Sequence, residues 1–69
     1  MNQITQEFLA YCGKPAEYFS DLDPFDVFWF AGINKFSIDN ACTIAQDLTG
    51  SPVDEEEVTI VRNAFPEIE

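Results

Sequence analysis

The segment DPFDVFWFAGIN, residues 23–34, is the tightest constraint on the fold. On a helical wheel Phe25, Phe28, Trp29 and Gly32 form one stripe, and Val27, Phe30 and Ile33 form another. One apolar side cannot hold both stripes. A helix that is apolar all round belongs in the middle of a bundle, covered by its neighbours. Otherwise one stripe stays exposed and serves a homodimer or a heterologous interface, where aromatic anchors carry much of the binding energy. Asp23 as N-cap, Pro24 at the first helical position and Asp26 three residues after the cap start this helix near Pro24. Gly32 and Asn34 are expected to end it.

The same punctuation divides the rest of the chain. In NQITQEFLAYCG, Ile4, Phe8, Tyr11 and Cys12 recur with helical spacing, and Gly13 is placed as the stop. Pro15 opens a short helix that brings Tyr18, Phe19 and Leu22 to one side. Ser37 caps a helix with Ile38, Ala41, Cys42, Ala45 and Leu48 on one face, closed by Gly50. Its small residues allow close packing. Ser51 as cap and Pro52 at the first position start a last helix with Val58, Val61 and Phe65 inward, stopped by Pro66. The β-branched VTIV run is compatible with a strand. The caps on both sides and the lack of partner strands favour helix. The expected fold is all-α, a compact single-domain bundle of four to five short helices over residues 1–69.

A chain of 69 residues buries only about 60% of the surface that its unfolded form exposes, so each large apolar side chain matters. Hydrophobic residues make up 46% of it, enough for a true core. Charge is the most unusual property: thirteen Asp and Glu stand against Lys14, Lys35 and Arg62, with no His, for a net charge of -10. Direct DNA or RNA binding needs Lys and Arg against phosphates, and this composition excludes it. Anionic membranes would repel such a chain, and no apolar run reaches the ~20 residues that span a bilayer. MNQITQEF carries no basic n-region followed by an apolar block, so a cytoplasmic protein is expected. In a reducing compartment Cys12 and Cys42 read as small core residues rather than a disulfide or a metal pair.

The sequence points away from catalysis and from cofactors. No His is present to activate Ser20, Ser37, Ser51 or either Cys, and paired carboxylates would need a cleft that so short a chain can scarcely enclose. Two acidic stretches resemble calcium loops only in part. DLDPFD lacks the central Gly and closing Glu, and the stretch from Asp47 puts Val58 where that Glu belongs, so no metal site is expected. The turn at TGSP has the brevity of a helix-turn-helix, but the residues that would meet DNA are Asp54, Glu55, Glu56 and Glu57. The chemistry is inverted.

That inversion suggests a function. Four consecutive acids repel one another, and the helix dipole offsets only about 0.3–1 kcal/mol at each favourable site. A cationic partner would relieve the remainder. The sequence is therefore read as a non-enzymatic inhibitor that occupies the basic, nucleic-acid-binding surface of another protein, a nucleic-acid mimic of the phage or mobile-element anti-defence type. Asp54, Glu55, Glu56 and Glu57 form one phosphate-like array and Asp21, Asp23 and Asp26 a second, with Trp29 or Phe30 as apolar anchor. The alternative is a helical adaptor, assembly chaperone or regulatory subunit that binds through its aromatic helix, its acids serving solubility.

Overall fold

The computed structural model describes residues 2–33 and 36–64. They form five helices: α1 (Gln3–Cys12), α2 (Glu17–Ser20), α3 (Pro24–Ile33), α4 (Ile38–Thr49) and α5 (Glu55–Ala64). The fold is all-α, with no strand among the described residues, and VTIV lies inside α5. α3 and α4 make the most extensive contact, and α1 and α2 also pack on α4. Ala31, Ala41 and Ala45 are fully buried on α3 and α4, where side chains this short let helices approach closely.

Most of the expected punctuation is in place. Gly13 and Gly50 adopt the left-handed conformation, φ 70° and 78°, and donate backbone N–H to Leu9 and Gln46. This conformation is cheap for glycine because it has no Cβ. Ser37 accepts from the Asn40 amide at 3.2 Å, and Asp23 Oδ1 accepts from Phe25 at 2.9 Å. α3 ends at Ile33, between the expected Gly32 and Asn34, and Gly32 is buried in its last turn. One expectation fails. The last helix begins at Glu55, not Pro52: Asp54 is its cap, its Oδ1 accepting from Glu56 at 2.8 Å. After the reversal at Gly50, Ser51 instead donates to Thr49 Oγ1, and Val53 packs against the core before the helix starts. Asn34 and the terminal Phe65 and Pro66 lie outside the described residues.

α4, which packs on α1, α2 and α3, holds the centre of the bundle; α3, expected there, lies against it with Val27, Phe28 and Ala31 buried and Phe25 and Trp29 packed partly against the core. Phe30 is the exception at 46% exposed. α1 contributes Phe8, fully buried, whose ring meets Phe19 at 5.3 Å, Phe36 at 5.6 Å and Phe30 at 5.9 Å. Phe8 therefore joins α1, α2, α3 and the segment leading into α4. Among the other expected core residues, Tyr18 and Leu22 are exposed while Phe19 is buried. A helix as short as α2 can bury only one narrow side. On α4 the wheel reading missed Ile44, which is fully buried, while Cys42 is only partly so.

Thr5 is buried without being apolar, and its partner explains why. Its hydroxyl donates to Asp47 Oδ2 at 2.7 Å, and the Asn2 amide donates to the same oxygen at 3.0 Å. A carboxylate in the last turn of α4 opposes that helix's own dipole but favours the start of α1, so one side chain caps α1 across the tertiary contact. The Asn2 amide first, then the Thr5 hydroxyl, hold the Asp47 carboxyl below the usual aspartate range.

Two outcomes follow. Phe8→Ala should lower stability by about 3–5 kcal/mol and Phe8→Leu by about 1–1.5, read by urea denaturation. Because the Asp47 pKa is depressed on folding, its stabilisation is present above the unfolded aspartate value of about 3.9 and fades as pH falls through and below it. Because the carboxylate is exposed and screened by water, Asp47→Asn should destabilise at pH 7 by at most about 1 kcal/mol and little at pH 2, a pH-dependent difference in urea midpoint that an unlinked site would not show.

Candidate partner-binding surfaces

Six of the seven acids expected to face a partner sit at helix starts, and Asp21 is the C-cap of α2. Asp23 and Asp54 each spend one carboxylate oxygen on a cap. Asp26 lies in the first turn of α3, and Glu55, Glu56 and Glu57 form that of α5. Asp21, Asp23, Asp26, Asp54, Glu55 and Glu56 are exposed, and Glu57 is partly covered. Successive helical residues turn by about 100°, so Glu55 to Glu57 fan around the start of α5 and do not form a flat row.

No described cation forms an ion pair with these seven acids. Arg62 instead meets Asp39 at 3.4 Å, a surface pair worth at most about 1 kcal/mol. Lys14 lies 5.1 Å above the ring of Tyr18. Among the described residues no group of three or more acids and cysteines could hold a metal ion, and no helix is long and apolar enough to cross a membrane.

Two clefts flank the bundle, and they share no lining residue. The first, about 410 Å³, opens between α1, α2 and α3, with Phe19 and Val27 at its base and Tyr11, Tyr18, Leu22 and Phe30 around it. Those four are exposed by 41–56%, and the fifth large apolar side chain exposed among the described residues, Ile60, is elsewhere. Asp26 and Lys14 also line this cleft. The second, between α4 and α5, is more polar and carries Asp39, Glu55 and Arg62. Asp26 and Glu55, one from each acidic cluster, thus border different clefts.

The structure separates the two expected aromatic anchors. Phe30 projects to the first cleft, whereas Trp29 is half-buried, with its ring 6.2 Å from that of Phe25 in a stacked arrangement. Tyr11, Tyr18 and Leu22, whose spacing puts them on apolar helix faces, emerge beside Phe30. Their only signal in the sequence was the shortness of α2 and the position of Tyr11 at the edge of the α1 face.

Both cysteines are free thiols, one in each cleft. Burial raises the pKa of Cys12; burial and then Asp39 raise that of Cys42 against the opposing pull of Arg62. Thiols shifted this way stay protonated at neutral pH and are weak nucleophiles. No protein-family model, curated protein or solved structure matches this chain significantly.

Unpaired carboxylates at two helix starts make stability sensitive to screening. The thermal midpoint should rise by a few degrees between about 10 and 150 mM NaCl, over which the Debye length shortens from about 30 to 8 Å. The variant D54N/E55Q/E56Q/E57Q, which keeps a capping side chain at position 54, should show a smaller rise in differential scanning calorimetry.

Proposed function

We propose that this protein is a non-enzymatic inhibitor that binds the basic, nucleic-acid-binding surface of a partner protein in the cytoplasm, occupying it in place of DNA or RNA. The phage and mobile-element anti-defence type is the biological setting this reading favours. The observation that carries it is the state of the carboxylates: seven acids in two clusters, six of them exposed, with no ion pair to a described cation in a chain of net charge -10. Such a surface attracts cations over several ångströms and accelerates encounter in a salt-dependent way. Each cluster contains a helix cap, Asp23 or Asp54, so most of its carboxylates are presented from a helix start rather than from a free tail. Held positions reduce the ordering cost of binding.

A second reading draws support from the apolar cleft. An adaptor, assembly chaperone or regulatory subunit would bind a protein chiefly through Tyr11, Tyr18, Leu22 and Phe30, with the acids keeping the free form soluble. The two readings differ in salt response, since apolar contacts survive screening and carboxylate contacts do not.

The test is capture of partners from the source cell's lysate, washed at about 50 and 500 mM salt. The expected result is a nucleic-acid-binding protein that elutes at high salt, is displaced by DNA or RNA, and is lost with D54N/E55Q/E56Q/E57Q. A salt-resistant partner that ignores nucleic acid and binds this variant unchanged would overturn the inhibitor reading in favour of the adaptor.

A further inference from the structure

Four of the five large apolar side chains exposed among the described residues converge on one cleft, although they come from three separate segments of the chain. Leaving Tyr11, Tyr18, Leu22 and Phe30 half in water around a common concavity forgoes burial that a small domain needs. Its volume, about 410 Å³, lies near the lower end of ligand pockets, and suits one large inserted side chain rather than a whole helix.

The charges around it select the occupant. Asp26 lines the cleft, Asp21 and Asp23 flank Leu22 in the chain, and Glu17 precedes Tyr18. Against these stands Lys14, whose ammonium lies over the Tyr18 ring. A second copy of this chain would bring two such acidic surroundings together, each belonging to a molecule of net charge -10. Like charges apposed in an interface disfavour that pairing, whereas a cationic segment is complementary.

We propose that the cleft between α1, α2 and α3 binds a basic peptide segment of the partner by taking one aromatic side chain between Tyr18, Leu22 and Phe30, with Lys or Arg on either side meeting Asp21, Asp23 and Asp26. This deepens, and rests on, the inhibitor reading above. The anchor confers persistence and the flanking pairs confer rate, because apolar burial slows dissociation while charge complementarity mainly speeds association.

The experiment is titration of the full chain by calorimetry with three synthetic peptides of equal length: a central Trp flanked by Lys and Arg, the same with Ala for Trp, and the Trp peptide with Ser flanks. The first should bind at least about tenfold more tightly than either of the others. Leu22→Asn, an exposed position whose folding is checked by its thermal midpoint, should remove most of the advantage of Trp over Ala. Equal binding of the Trp and Ala peptides with Lys and Arg flanks would overturn the cleft assignment while leaving charge-driven binding intact. Equal binding of the two Trp peptides would overturn this proposal and count against the inhibitor reading as well. So would the absence of binding by all three. An undiminished Trp preference in folded Leu22→Asn would place the anchor elsewhere.

Discussion

The ring of Phe8 is the contact on which the rest of the bundle depends. It is fully buried and touches aromatic rings from α2, from α3 and from the segment that enters α4. In a small domain, where total stability is on the order of 0.05–0.15 kcal/mol per residue, one such side chain accounts for a large share of the margin. Tilted and edge-on ring pairs add directional preference to the burial, so Phe8 orients its neighbours as well as excluding water. The positions of Phe19 and Phe30 follow from it, and with them two sides of the apolar cleft.

Acidic residues perform three kinds of work in this fold. Asp23 and Asp54 cap helices locally, and Asp47 caps α1 from a distance through Asn2 and Thr5. Asp39 pairs with Arg62 at the surface. Asp26 at the beginning of α3 and Glu55, Glu56 and Glu57 at that of α5 stand where the backbone offers partial positive charge, and no described cation forms an ion pair with them. A helix start tolerates acids that would repel elsewhere, which explains how a chain this acidic can fold and still leave carboxylates facing solvent. The proposed function uses that surplus, and the proposed anchor cleft uses the apolar surplus beside one cluster.

Helix number and order were legible because the signals are local. Gly13, Asp23, Ser37 and Gly50 act within one turn of the backbone, and each does what its residue type favours. Where two local signals competed, the reading failed. Ser51 and Pro52 resemble a helix start as closely as Asp54 does, and the choice turned on Val53 reaching the core after the Gly50 reversal. The candidate acids were legible from composition and run length. The cleft was not, since Tyr11, Tyr18 and Leu22 carry the periodicity of core residues.

The sequence by itself determined that this protein is a bundle of short helices and that its surface is strongly acidic. Those properties follow from periodicity, capping and charge count, each set by residues near one another in the chain. Only the tertiary structure decided that Phe30 rather than Trp29 reaches the surface, that Thr5 is buried on Asp47, and that one acid of each cluster borders a different cleft. These depend on how helices distant in sequence share the space around Phe8. Which side of an all-apolar helix remains uncovered is a property of its neighbours, not of its own residues.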